Sequence, residues 1–212
     1  DSDHDPRETK TCIRHRTTHE PAHLNFGFVN KIQRKFSPLN LKKIPADWHE
    51  KTTLQLPNYV ERPLIDIFKQ TTAANIADFC LEMYRRMGLL EGVRVVRSSD
   101  PSVRNSACDI TDFFVDVPYS GEIVRARHCG DSLKLHEGGD QFITLPLTAF
   151  GKEQISPTRD SRLRWMQSVL HCTHYIAGAG EQGYLRRDEA PEVTFIVRDE
   201  IERSDEAFTE IL

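Results

Sequence analysis

The chain has 212 residues, with 28 Lys and Arg against 32 Asp and Glu. That length supports one sizeable core, and the near balance of charge supplies no overall field for nucleic acid or an anionic membrane surface. No run approaches the roughly 18 to 20 apolar residues of a membrane span, and nothing after Asp1 reads as a signal peptide, so the expectation is a soluble cytoplasmic protein that binds neither nucleic acid nor membrane.

Cys12, Cys80, Cys108, Cys129 and Cys172 are odd in number and never spaced C-x-x-C. This predicts reduced thiols rather than a disulfide framework or a structural zinc site. Cys172, flanked by His171 and His174, is the one candidate nucleophile among them.

The chain opens without Met, directly in a polar cluster, as a piece of a longer protein would. Asp1-Ser2-Asp3-His4-Asp5-Pro6-Arg7-Glu8 cannot continue a helix through Pro6 and reads as a loop. Two chemistries suit it: His4 as a general acid/base oriented by Asp3 or Asp5, or the carboxylates with His4 and Glu8 as a metal site. A solvated terminus is the third reading. The runs 11–17 and 23–28 predict a hairpin interrupted at Pro21. His15, His19 and His23 recur every four residues, but the β-branched neighbours and Pro21 argue against a helix that would align them. Residues 30–43 form a basic connector.

Helix is predicted for the first part of 46–60, with Trp48 and Leu54 as buried anchors. The apolar stripes of 62–71 and 73–87 predict two further helices, the second closed by Arg85, Arg86 and Gly88. Residues 93–98 read as a strand. Asp100-Pro101 predicts a helix start, with Asp100 as the N-cap. From 109 to 150 the period changes to two, and turn-rich breaks separate 123–127, 133–136 and 141–145 into an antiparallel meander.

After Ser156-Pro157, residues 161–170 read as a helix carrying Arg162 and Arg164, which with Arg159 suit carboxylate or phosphate recognition. Tyr175-Ile176-Ala177-Gly178-Ala179-Gly180-Glu181 then reads as a buried strand turning into a helix over a ligand, with Gly178 and Gly180 allowing close approach to backbone N–H groups. A strand over 191–198 and an acidic helix over 200–211 complete the pattern. Alternating helices and strands predict an α/β protein: a Rossmann-like parallel-sheet core over 1–108 and 151–212, incomplete at its N-terminus, with a small antiparallel β insertion over 109–150.

Two stretches together resemble the cysteine ligases of bacillithiol biosynthesis. One is Asp3-His4-Asp5 with Glu8. The other is Ser156-Pro157, Arg162, and the turn Tyr175-Ile176-Ala177-Gly178-Ala179-Gly180-Glu181 with Tyr184. The resemblance covers 1–8 and about 155–208. It implies a Rossmann-like fold and a carbon–nitrogen ligase that adds cysteine to the amino group of a glucosaminyl-malate. It further implies ATP or another nucleotide and small-molecule substrates; a second copy of the chain is the one protein partner considered. Asp3, His4, Asp5 and Glu8 would be catalytic; Arg162, Tyr175, Gly178, Gly180, Glu181 and Tyr184 would bind substrate or nucleotide; no metal is required. The chain departs from that family in lacking the N-terminal Gly-Gln-Gln motif and the central coiled coil, so it is either a fragment or a divergent relative. A metal-dependent hydrolase on the acidic cluster and a non-catalytic binding domain are the alternatives.

Overall fold

In the computed structural model, which describes residues 10–15, 17–25, 38–138 and 140–199, the chain first doubles back on itself. Strands β1 (Lys10–Arg14) and β2 (Pro21–Asn25) pair antiparallel, with Pro21 opening the second strand, a position where its missing N–H costs no interior ladder bond. His15 sits buried at the bend, and its Nδ1 accepts from the backbone N–H of Thr17 and Thr18 at 3.2 and 3.0 Å. That histidine is therefore part of a turn. These residues belong to a first unit that runs to Val95, and a second begins at Val96.

The first unit continues through three helices, α1 (Trp48–Thr53), α2 (Arg62–Gln70) and α3 (Ile76–Arg86). Trp48 is buried and meets Phe68 and Phe79 edge to face at centroid distances of 5.2 and 4.9 Å, so one ring from each helix closes the cluster. Leu54, expected beside Trp48, is instead 79% exposed, because α1 ends there and turns it outward. Asn75 caps α3 by accepting from the Asp78 N–H at 2.9 Å, and Gly88 takes the left-handed conformation that closes it.

Residues 93–98 form no strand among the described residues: Val93, Val95 and Val96 are exposed and join no β ladder. β propensity without a partner edge does not make a strand.

The second unit opens with α4 (Pro101–Ser106), capped by Asp100, whose carboxylate accepts from the Ser102 N–H at 2.8 Å. Five strands follow: β3 (Phe113–Tyr119), β4 (Glu122–Cys129), β5 (Ser132–Gly138), β6 (Gln141–Pro146) and β7 (Ile155–Pro157). They form one sheet in the order β6-β5-β4-β3-β7, antiparallel throughout. This overturns the expected Rossmann-like parallel-sheet core. The physical reason lies in the connections. Ser120 and Gly121, both at positive φ, join β3 to β4, and Gly130-Asp131 joins β4 to β5. Two-residue reversals of this kind enforce antiparallel pairing, whereas parallel neighbours need a long crossover.

One face of the sheet packs Val115, Val117, Val124, Ala126, Leu133 and Leu135 into the main core. The other face carries Asp116 between two guanidinium groups, Arg104 of α4 at 2.7 Å and Arg125 of β4 at 3.1 Å. β7, expected to resume a parallel core, is the edge strand beside β3, and the edge is where Pro157 is tolerated.

Parallel pairing is confined to a second, small sheet. After α5 (Arg162–Leu170), β8 (His174–Ala177) pairs in parallel with β9 (Thr194–Val197) through the one-turn helix α6 (Ala179–Gln182). Leu163, Ala190 and Val193 form a local core there, joined by Tyr175 and Phe195. The acidic helix predicted over 200–211 lies outside the described residues. Among the described residues no helix is long and apolar enough to cross a membrane.

Candidate functional site

The glycine turn at the end of β8 gathers three of the residues singled out in the sequence. Tyr175, within β8, points its hydroxyl at Glu181 of α6 and donates to Oε1 at 2.9 Å. Arg162, the first residue of α5, donates from Nη2 to the same oxygen at 3.1 Å. Glu181 Oε1 thus takes two donors, while Oε2 takes none among the described residues. The guanidinium is mostly withdrawn from solvent and the carboxylate about one-third exposed, at 15% and 35%.

Each member is held by its own element. The start of α5 is tied to Asp112, the residue before β3: Ser161 Oγ donates to the Asp112 carbonyl at 2.6 Å and accepts from the Thr158 N–H at 3.1 Å, while Thr158 Oγ1 donates to the Asp112 carboxylate at 2.7 Å. This network sets where Arg162 begins. Tyr175 is fixed by strand pairing with Phe195. Glu181 is placed by the single turn of α6, closed by the Gln182 N–H donating to the Gly178 carbonyl at 3.0 Å.

Burial, then the hydrogen bond and the charge of Glu181, push the Tyr175 phenol up to about 12. It therefore stays protonated across the neutral range and acts as a fixed donor, not as a proton shuttle. The cluster offers a carboxylate oxygen that has no partner among the described residues, beside a neutral phenol and a guanidinium. It can hold an ammonium group and orient the atoms attached to it.

The remaining predicted residues fall differently. Tyr184 does not join this hydrogen-bond cluster; Arg159 lies over its ring, 5.2 Å from the centroid. Gly178 is the N-cap of α6 and Gly180 lies within it. Neither has positive φ, and a Cβ at Gly180 would meet nothing within 4 Å, so neither the backbone conformation nor local crowding requires that glycine. The helix after the turn is four residues long, so the anion site expected from a long helix N-terminus gives way to the side chains. Asp3, His4, Asp5 and Glu8 lie outside the described residues.

Among the described residues no group of three or more His, Cys, Asp and Glu could hold a metal ion. Near Cys172, His174 Nδ1 lies 2.9 Å from Thr173 Oγ1, and the Cys172 backbone is held at both its N–H and its carbonyl by the Gln167 amide at 2.9 Å. Neither contact activates the thiol.

Gln182 went unnoticed in the sequence. It is buried, and its amide donates to the Ala177 carbonyl at 3.3 Å and the Ile196 carbonyl at 2.6 Å, while its oxygen accepts from Arg187. One side chain therefore ties the ends of β8 and β9 together. A glutamine following a glutamate carries no periodic signal, although its place after a glycine turn that must be anchored was a usable hint.

No family model, no curated protein and no solved structure matches the chain.

Proposed function

We propose that this chain carries the amino-acid-binding part of a carbon–nitrogen ligase, adding cysteine or a similar amino acid to the amino group of a small acceptor of the glucosaminyl-malate type. The observation that carries the reading is the convergence of Arg162 and Tyr175 on one oxygen of Glu181, at 3.1 and 2.9 Å, which leaves the other oxygen for an ammonium. Fixing one oxygen removes most of the rotamer freedom that the carboxylate would otherwise lose on binding, so the site is organised before the ligand arrives.

In this scheme Glu181 Oε2 accepts from the ammonium of the amino acid. Tyr175 remains a phenol and holds the carboxylate in place. Arg162 fixes Glu181 and keeps the local charge favourable for the amino acid's own carboxylate. ATP or another nucleotide, as the activator of that carboxylate, belongs to the same proposal. Within that proposal the part of the Glu181 cluster is to bind and orient the amino acid. The place of work is the cytoplasm and the substrates are small molecules.

The test uses the full chain with cysteine, an amino-sugar malate acceptor and ATP, with amide product read by mass spectrometry. Product that depends on cysteine and is lost in Glu181→Gln supports the reading. No product with any amino acid, together with no amino-acid binding by calorimetry, overturns it.

A further inference from the structure

The large sheet ends on two edges of different kinds. β7 is three residues long and closes with Pro157, a short edge that offers little to a further strand. β6, at the other end of the order, is six residues long and pairs only with β5 among the described residues. Alternate residues of β6 turn their backbone groups towards β5 and away from it, so a row of N–H and C=O groups faces outward.

Edges of this length are ordinarily blunted by charge, and β6 is not. The ten residues from Gln141 to Phe150 include no Asp, Glu, Lys, Arg or His. Their apolar side chains also reach the surface. Phe142, stacked on His136 of β5 at 4.9 Å, is 60% exposed, and Leu147, just past the strand, is 42% exposed. On the core side Ile143 and Leu145 pack against the buried cluster yet are only half-buried themselves. The core is closed over the inner strands, where Val115, Val124 and Leu135 are fully buried, and left open at β6.

A strand that covers this edge must be uncharged, β-forming and apolar along the face that continues the core. The chain's own β6 meets that description. Turned by a two-fold axis normal to the sheet, it runs antiparallel to the original and keeps core side beside core side. With Leu145 on the axis, Leu145 lies opposite its own counterpart and Ile143 lies opposite the second copy's Leu147. On the other face Thr144 lies opposite the second copy's Pro146. This register brings no like charges together, and the edge carries no charge that would select a different partner.

We propose that β6 is a self-association edge, through which two copies of the chain pair antiparallel and join their five-stranded sheets into one, with the row of Ile143, Leu145 and Leu147 continued across the axis. A seam of about six ladder hydrogen bonds corresponds to roughly 600 to 1,200 Å2 of buried surface. That is the size of a transient interface, so the dimer dissociates with a Kd of about 10 to 100 micromolar.

Sedimentation velocity of the full chain, at concentrations below and above that range, reads the association. Hydrogen–deuterium exchange followed by mass spectrometry reads which strand is covered. The expected result is a monomer–dimer equilibrium in which the β6 amides exchange more slowly at high concentration than at low, while those of β7 do not change. Thr144→Lys, at an exposed position on the face away from the core, weakens the dimer roughly tenfold, since symmetry sets two lysines at the seam. Thermal unfolding of the dilute variant checks that the fold is kept; Phe142→Lys makes the same test if it is not. A monomer at every concentration overturns the proposal, as does a dimer whose β6 exchange ignores concentration or which both lysine variants leave intact. Slow β6 exchange in the monomer also overturns it, because the edge is then covered within one chain. The Glu181 cluster takes no part, so Glu181→Gln associates as the parent chain does.

Discussion

Tyr175 and Glu181 stand six positions apart on either side of the glycine turn and are joined by a phenol-to-carboxylate hydrogen bond of 2.9 Å. A contact of this kind fixes the angle at which the strand leaves for the helix. It also separates what the cluster does for stability from what it does for a ligand.

Replacing Glu181 by Gln should therefore affect binding far more than folding. The carboxylate is about one-third exposed, so the ion pair with Arg162 contributes less than ~1 kcal/mol to stability. Loss of the charge opposite an ammonium weakens cysteine binding roughly tenfold to a hundredfold. Calorimetric titration of cysteine alongside urea unfolding checks both halves; an equal loss in the two would assign Glu181 a merely structural role.

The phenol of Tyr175 makes stability depend on alkaline pH. Its folded value, about 12, lies above the ordinary 10.0, so the folded state holds the proton more tightly than the unfolded chain does. The stabilisation is fully present below about pH 10 and is lost as pH rises towards about 12. Denaturant titrations across that range should show a fall that Tyr175→Phe reduces, and absorbance titration should show one late-ionising tyrosine that the variant lacks.

Gly180 tests whether the glycine turn serves the fold or a ligand. A Cβ there meets nothing within 4 Å, and alanine is the better helix residue, so Gly180→Ala raises stability by about 0.5 to 1 kcal/mol. A ligand that sits on the Glu181 cluster and also approaches Gly180 meets the added methyl, and cysteine binding should then fall several-fold. Unchanged binding in the stabilised variant would argue that nothing approaches that residue.

On the polar face of the antiparallel sheet, Asp116 is 12% exposed and lies within 3.1 Å of both Arg104 and Arg125. Asp116→Ala leaves the buried Arg104 without its countercharge and should cost about 3 to 5 kcal/mol. Thermal unfolding monitored by circular dichroism reads this directly. A double variant in which Arg104 is also replaced by Met should recover part of the loss.

What could be read in advance followed local physics. The amphipathic stripes placed α2 and α3, the Asp100-Pro101 pair placed the start of α4, and alternation with turn residues found β4, β5 and β6. The sheet order was not legible in the same way. The antiparallel meander of β4, β5 and β6 was expected, but the alternation of helices and strands outside it suggested a parallel core that the described residues do not form, and β3 with its Ser120-Gly121 reversal and its edge partner β7 went unseen. Residues 93–98 had strand composition but no edge to join.

The site divides similarly. Arg162 and Glu181 could be marked by residue type and spacing beside the glycines, and Tyr175 only through a resemblance. The convergence of two donors on a single oxygen depends on tertiary placement that no window of sequence contains. Arg104 and Gln182 were missed because their partners come from distant segments or from backbone carbonyls.

The amide of Gln182 spans the Ala177 and Ile196 carbonyls, and this has a consequence for how the protein tolerates change. With that staple fixing the alignment of β8 and β9, the loop over 183–193 is relieved of the task. Insertions or deletions in that loop should be absorbed as long as the glutamine stays, whereas exchanging it for leucine would let the two strands slide and carry the Glu181 carboxylate away from Tyr175 and Arg162 with none of those three residues altered.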